Sequence, residues 1–221
     1  MTNELLLVIS AVIDLTAVFF AAKLGRRWLF ATIAANLILI TVFGSKLISV
    51  GSMTTNAGNV FYACVFFATH LLLEQKHNKK AYQTIWFGIS FVLFFTIMAR
   101  IVVLMTSATP LDPVSEHIAF LFPLGVRVMV ASLVSYSFAQ SINIFLYQFA
   151  GQKILNRAWF KSLTATIFAQ LFDSALFFSI AFPDLSAHSL ISAIVAGWII
   201  KVCVGILGIP YLSRYAQQQQ L

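Results

Sequence analysis

Seven long apolar runs constrain this chain more than any other feature of its sequence. They cover residues 4–22, 28–49, 59–75, 84–107, 124–149, 162–182 and 190–212. A helix that crosses a bilayer needs about 20 mostly apolar residues, because the hydrocarbon core is roughly 30 Å thick. Helices satisfy every backbone polar group internally, so they are stable there. The runs therefore predict an all-α fold, a polytopic helical membrane protein with about seven transmembrane helices.

The composition indicates one membrane domain over residues 1–221 and excludes an ordinary soluble protein. Only 10% of the residues are charged and 60% are hydrophobic, whereas soluble domains are typically about 25% charged. The net charge of +7 does not indicate nucleic acid binding, because the basic residues fall in short connections between apolar runs. We therefore expect the lipid bilayer, and no nucleic acid, as a partner.

The basic residues alternate from one connection to the next. They occupy the first, third and fifth connections and the C-terminal end: Lys23, Arg26, Arg27, Lys76, Lys79, Lys80, Lys153, Arg157, Lys161 and Arg214. The other connections carry Asp112 and Glu116, Asp184, or no charge. Lys and Arg accumulate on the cytoplasmic side, and seven crossings place all of these sites on one side. This pattern predicts a multi-pass cell (inner) membrane protein with its N-terminus outside and its C-terminus in the cytoplasm.

Two opposite charges lie inside the apolar runs at similar depth. Asp173 is near the middle of the sixth run and Lys201 is near the middle of the seventh. An ion pair at one depth would offset the burial of both charges. Gln170 shares a helix face with Asp173, because the two are three residues apart. The pair is either purely structural or part of a binding site.

A polar stripe in the fifth run favours the binding site. Ser132, Tyr136, Gln140 and Asn143 follow the helical period on an otherwise apolar segment, so they share one face that could line a cavity. We therefore expect the charged pair and the stripe to contribute to one site.

Other polar residues within the runs carry weaker signals. His70 and Glu74 are one helical turn apart in the third run, which is not by itself a metal site. Asp14, in the middle of the first run, indicates either a contact with a neighbouring helix or a functional group. The sequence contains no catalytic, nucleotide-binding or dinucleotide-binding motif. We therefore predict no enzyme activity, no catalytic residue, no cofactor and no metal site.

Four blocks of sequence form a series between residues 28 and 212. They are "AGNVFYACVFFATHLLLEQKHNKKA" (57–81), "RVMVASLVSYSFAQSIN" (127–143), "TATIFAQLFDSALFFSIAF" (164–182) and the pair Lys201 and Pro210. In this order and spacing they resemble the motifs of the YhhQ-like queuosine precursor transporter family, also grouped as putative vitamin uptake transporters. The matches include Asn59, Tyr62, Glu74, Tyr136, Gln140, Gln170, Asp173 and Lys201.

The resemblance implies a six-helix core, here with an extra N-terminal helix, and a transport function. The family takes up queuosine precursors, the 7-deazaguanines 7-cyano-7-deazaguanine and 7-aminomethyl-7-deazaguanine. Three acids of its motifs are replaced by His70, Asn143 and Gly208. The resemblance therefore supports the family's fold for this chain more strongly than the family's substrate. We expect secondary or facilitated uptake of such a base or a related purine-like base. One alternative is a membrane substrate-binding component that works with a separate ATPase, and the other is a non-transporting membrane scaffold. The sequence leaves open whether the chain forms a homodimer.

The matching residues suit a small heterocyclic substrate. A carboxylate accepts two adjacent N–H groups of a guanine-like edge, an amide donates to the ring carbonyl, and a tyrosine stacks on the ring. We predict that Asp173 or Glu74 accepts that edge, while Lys201 holds Asp173 ionised or meets the ligand. His70 is a candidate proton carrier. The predicted substrate-binding residues are Asn59, Tyr62, His70, Glu74, Tyr136, Gln140, Asn143, Gln170, Asp173 and Lys201.

Overall fold

The computed structural model describes residues 2–44, 46–51, 53–75, 78–106, 113–122 and 126–219. Lys76 and Asp112 of the predicted charge pattern lie outside these residues. The described helices are α1 (Asn3–Leu24), α2 (Arg26–Phe43), α3 (Asn59–Glu74), α4 (Asn78–Val103), α5 (Pro113–Leu121), α6 (Val126–Lys153), α7 (Ala158–Ala181) and α8 (Ala187–Gln218). The described strands are β1 (Leu47–Val50) and β2 (Met53–Asn56). The predicted all-α membrane fold is confirmed.

Seven of these helices match the predicted apolar runs. Six of them, α1, α2, α4, α6, α7 and α8, are long and apolar enough to cross a membrane. The seventh, α3, has only 16 residues, fewer than a spanning helix usually needs. It contacts α1, α2, α4, α6, α7 and α8, and nearly all of its residues are buried. This helix is therefore surrounded by protein rather than by lipid.

The ends of α3 lie on opposite sides of the helix bundle. At its start, Asn59 Nδ2 donates to Thr55 Oγ1 of β2 at 2.8 Å. Just beyond its end, Gln75 donates to the Ala22 carbonyl of α1 at 3.4 Å and to the Tyr215 hydroxyl of α8 at 2.7 Å. The basic ends of α1, α3 and α8 therefore share one side, as seven crossings predict.

A β-hairpin covers the opposite side and corrects one predicted span. The second apolar run was predicted to continue to residue 49, but α2 ends at Phe43 and residues 47–49 belong to β1, which pairs with β2 in antiparallel register. Gly51 has φ +56°, a left-handed conformation that glycine adopts without steric penalty. Asn3 Nδ2 donates to the Ser49 carbonyl and the Gly51 amide donates to Glu4, both at 2.8 Å. These bonds hold the start of α1 to the hairpin.

Gly88 allows α4 to pack against the Tyr136 ring of α6. A Cβ at Gly88 would lie 2.6 Å from Cε1 of that ring, and the Tyr136 hydroxyl is fixed by a 3.0 Å bond to the Thr84 carbonyl. We expect Gly88→Ala to lower the free energy of unfolding by about 1–3 kcal/mol, seen as a lower thermal midpoint in detergent. Gly197→Ala is the control, because its Cβ would meet neighbours at 3.5–3.7 Å. Equal midpoints for both variants would contradict this account of the packing.

Candidate functional site

Asp173 of α7 and Lys201 of α8 form an ion pair in the interior of the bundle. Lys201 Nζ lies 2.5 Å from Asp173 Oδ2 and 3.1 Å from Ser174 Oγ. The Tyr62 hydroxyl of α3 donates to the other carboxylate oxygen, Asp173 Oδ1, at 2.5 Å. The side chains of Asp173 and Lys201 are 5% and 6% exposed. The predicted ion pair is therefore present, and it joins three helices.

Tyr62 connects this ion pair to other aromatic rings. Its own ring lies 4.8 Å from Lys201 Nζ, within the range of a cation–π interaction. Its centroid is 5.2 Å from Phe66 and 6.3 Å from Tyr136. The ion pair is therefore bordered by flat aromatic groups, which can stack on a heterocyclic ring.

Gln170 lies one helical turn before Asp173, and its amide has no hydrogen-bond partner in the described part of the chain. It is 0% exposed, and neither Nε2 nor Oε1 makes a hydrogen bond with the described residues. Leaving a buried polar group unpaired costs about 1–3 kcal/mol, and buried polar groups are bonded in the large majority of cases. The amide offers two donor hydrogens and one acceptor oxygen, which a ligand beside Asp173 would satisfy.

A second polar cluster lies among α3, α6 and α7. Gln140 Nε2 donates to Thr69 at 2.6 Å, and Asn143 Nδ2 donates to Gln140 Oε1 at 3.4 Å. His70 Nε2 is 2.8 Å from Asn143 Oδ1, and His70 Nδ1 is 2.9 Å from Ser162 Oγ. All five side chains are buried. Unlike Gln170, these groups satisfy one another, so the cluster is complete without a ligand.

An apolar layer lies between this cluster and the ion pair. It consists of Phe66 of α3, Ala139 of α6 and Ala169 of α7, which pack together in the interior. Phe66 is one turn beyond Tyr62 and one turn before His70 on the same helix. The predicted residues on α3 are therefore divided by an aromatic side chain.

Glu74 belongs to a third group, on the side that carries the basic connections. It forms an ion pair with Lys161 of α7 and accepts a hydrogen bond from the Tyr147 hydroxyl at 2.7 Å. A cavity of about 200 Å³ adjoins this group and is lined by Leu73, Tyr147, Gln148, Gly151, Gln152, Asn156 and Lys161. Glu74 is twelve residues beyond Tyr62, about 18 Å along a helix that rises 1.5 Å per residue.

The ten predicted residues therefore do not form one continuous site. Asp173, Lys201 and Tyr62 are in direct contact, Gln170 is one turn away, and Tyr136 borders the Tyr62 ring. Asn59 lies on the hairpin side of this group. His70, Gln140 and Asn143 form the second cluster, and Glu74 forms part of the third. Sequence analysis did not assign to the site six residues that complete these groups, namely Phe66, Thr69, Tyr147, Lys161, Ser162 and Ser174.

Three of the missed residues follow a recognisable pattern on their helices. Phe66 continues the spacing of Tyr62 and His70 along α3, and Ser174 directly follows Asp173. Tyr147 is one turn beyond Asn143 on α6. Helical spacing from the predicted residues would have identified these three, although their types alone do not stand out in so aromatic a chain.

A family model described as "Putative vitamin uptake transporter" matches residues 56–214, which is well over half of the sequence. The chain belongs to this family. The matched segment contains α3 to α7 and most of α8, and thus every residue of the three polar groups, whereas α1 and α2 precede it.

One curated relative from Bacillus subtilis (strain 168) is named "Probable queuosine precursor transporter". It is 29% identical over 202 residues, covering 87% of this chain and 82% of the relative. No solved structure matches the chain. The resemblance drawn from the four sequence blocks is thereby confirmed at the level of the family.

Proposed function

We propose that this membrane transporter takes up queuosine precursors, the 7-deazaguanines, or a related purine-like base, by secondary or facilitated transport. The family and the name of the Bacillus relative support this substrate class. The observation that carries the proposal is the buried Gln170 amide, one turn from the Asp173–Lys201 pair, which no described residue bonds. The proposed role is transport without chemical change of the substrate, for which recognition groups are sufficient.

The proposed ligand completes the hydrogen bonding of this group. An ionised carboxylate has about four acceptor positions, and Lys201 and Tyr62 occupy two of those on Asp173. The N–H groups of a guanine-like edge take the remaining positions. The Gln170 amide donates to the ring carbonyl, and the Tyr62 and Tyr136 rings border the flat face.

The charge balance favours a neutral ligand. Lys201 compensates Asp173, so the ion pair has no net charge, and an added cation in this buried region would have no counter-ion. Of the two 7-deazaguanines, 7-cyano-7-deazaguanine is neutral, whereas the aminomethyl compound carries an ammonium group. The nitrile compound is therefore the probe of choice.

The buried site has to open during transport. Asp173, Lys201 and Gln170 are almost fully buried, so this conformation is closed around them. The cavity beside Glu74 and Lys161 lies on the side with the basic connections and forms one end of the proposed path. Under the positive-inside rule that side is cytoplasmic, with the N-terminus outside and the C-terminus in the cytoplasm.

Gln170→Leu tests the binding role directly. The substitution replaces the amide with an apolar side chain of similar size and breaks no hydrogen bond among the described residues. We expect uptake of labelled 7-cyano-7-deazaguanine to fall at least about tenfold, the equivalent of one to two lost hydrogen bonds. Thermal stability in detergent should stay at the wild-type value or rise, since an unpaired buried amide is removed. Both are measured at matched protein levels.

Gln140→Leu is the matched control for this experiment. It removes the same amide from a residue that does bond to Thr69 and Asn143, so we expect its thermal midpoint to fall. Wild-type uptake by Gln170→Leu would refute the placement of the ligand. Failure of the wild-type protein to move any 7-deazaguanine would refute the proposed substrate class.

A further inference from the structure

Asp14 is a half-buried carboxylate in the membrane-spanning part of α1, and no Lys or Arg of the described residues forms an ion pair with it. It lies near the middle of α1, with about ten residues of helix on either side. The ion pairs found among the described residues involve the carboxylates of Glu74, Asp173 and Asp184. A carboxylate that stays ionised at this depth without compensation is unfavourable.

The Asn36 side chain of α2 lies beside this carboxylate. Its Nδ2 donates to Asp14 Oδ1 at 3.1 Å and to the Thr32 carbonyl at 3.2 Å. The two remaining oxygens, Asp14 Oδ2 and Asn36 Oδ1, are both buried, and neither has a hydrogen-bond partner within the described part of the chain. Two buried acceptors are therefore left on side chains that already share one hydrogen bond, and the donor beside the carboxylate is the weakly donating Cys64 thiol.

One proton would satisfy both oxygens. A carboxylic acid and a primary amide placed side by side form two complementary hydrogen bonds, one N–H to oxygen and one O–H to oxygen. The first of these bonds is present between Asn36 and Asp14. A proton on Asp14 Oδ2 supplies the donor for the second, to Asn36 Oδ1, and removes the uncompensated charge.

We propose that the Asp14–Asn36 pair is the proton-binding site that couples uptake to a proton gradient. This inference rests on the proposed transport function and adds a site that lies before the segment matched by the family. In each cycle Asp14 Oδ2 gains a proton from one side of the membrane, becoming a neutral carboxylic acid. It releases that proton to the other side, becoming a carboxylate again.

The groups around Asp14 fit this role. From α3, the Cys64 thiol lies next to the carboxylate, and from α2 the neutral Asn36 faces it. From α8, Tyr211 lies nearby, and its hydroxyl is 3.0 Å from Thr16 Oγ1. The strand β1 contacts α1 and is tied to its first turn. Among the described residues, no Lys or Arg forms an ion pair with Asp14.

Helix α3 links this pair to the substrate site. Cys64 faces Asp14, while Tyr62, two residues earlier, donates to Asp173. Phe66, two residues later, forms the apolar layer between the polar clusters. A displacement of α3 that accompanies proton uptake at Asp14 would therefore move both Tyr62 and Phe66.

Asp14→Asn separates coupling from transport itself. Asparagine has the shape of the protonated acid but cannot release a proton. In liposomes we expect the wild-type protein to accumulate labelled 7-cyano-7-deazaguanine when a pH gradient is imposed. We expect Asp14→Asn to accumulate at least tenfold less under the same gradient. The variant should keep counterflow exchange against unlabelled substrate. A sodium gradient at constant pH should drive no accumulation in either protein.

Glu4→Gln is the matched control, because Glu4 is a carboxylate on the same helix that accepts a bond from the Gly51 amide. It should retain the response to the pH gradient. Accumulation by Asp14→Asn at the wild-type level, loss of its counterflow together with its accumulation, or accumulation driven by sodium would each overturn the proton site.

Infrared difference spectra of the purified protein test the same site without substrate. We expect a C=O stretch of a protonated carboxyl group that is present in the wild-type protein and absent from Asp14→Asn. Its absence from the wild-type protein would overturn the inference. If the band is present but no 7-deazaguanine is transported, the proposed substrate fails and the proton site stands.

Discussion

Lys201→Met is expected to abolish uptake and to lower the free energy of unfolding by about 3–5 kcal/mol. The substitution leaves Asp173 as a buried charge without its counter-ion, and breaking a buried pair in this way is strongly destabilising. The Tyr62 hydroxyl remains as a donor to Asp173 Oδ1, but one neutral donor does not compensate a full charge. Thermal or denaturant unfolding in detergent measures the change.

The double variant Asp173→Asn/Lys201→Met distinguishes a structural pair from a binding pair. It contains no buried charge at this position, so we expect most of the lost stability to return. Uptake of 7-cyano-7-deazaguanine should stay absent, because the carboxylate that accepts the N–H edge is gone. Wild-type uptake by a stable double variant would mean that Asp173 and Lys201 serve only the packing of α7 and α8.

Hydropathy and charge predicted the architecture well because the bilayer restricts what a spanning segment can be. The alternation of basic connections required a seventh crossing. It therefore predicted a crossing at α3, although this helix is short. The hairpin was not predicted, because Leu47–Val50 is apolar and extends a hydrophobic run without any change in composition. Its alternating pattern covers only four residues per strand, too few to separate a strand from the end of a helix.

The contents of the site were predicted better than its extent. Asp173 and Lys201 could be paired from their equal depth alone. Tyr62, His70 and Glu74 share a face of α3, but a shared face runs the whole length of a helix and does not define one site. The state of Gln170 could not be read from the sequence at all, because whether an amide finds a partner depends on side chains from other helices.

Asp14 is a second residue whose surroundings could not be predicted from the sequence. The sequence left open whether it contacts a neighbouring helix or has a functional role, and the structure shows that it contacts Asn36. The contact leaves two buried oxygens unpaired. A buried polar contact with unpaired oxygens is a stronger indication of function than a charge in an apolar run, because it shows which hydrogen bonds are missing.

Lys161→Met is expected to lower the free energy of unfolding by about 2–4 kcal/mol, slightly less than the loss at Lys201. The side chains of Lys161 and Glu74 are 13% and 11% exposed, so some solvent reaches the carboxylate that is left behind and reduces the penalty for an unpaired buried charge. The Tyr147 hydroxyl would remain as a donor to Glu74. We also expect the packing of His70 to be disturbed, because its ring stacks on Tyr147 with centroids 4.7 Å apart.

A double-mutant cycle with Glu74→Gln measures the coupling within this pair. We expect Glu74→Gln/Lys161→Met to recover most of the stability lost by Lys161→Met alone, because no unpaired charge remains between α3 and α7. Lys153→Met is the control, since Lys153 is an exposed residue at the end of α6 on the same side, and it should change stability by less than about 0.5 kcal/mol. A coupling energy near zero would show that solvent, rather than Lys161, compensates Glu74, and the end of α3 would then be free to separate from α7.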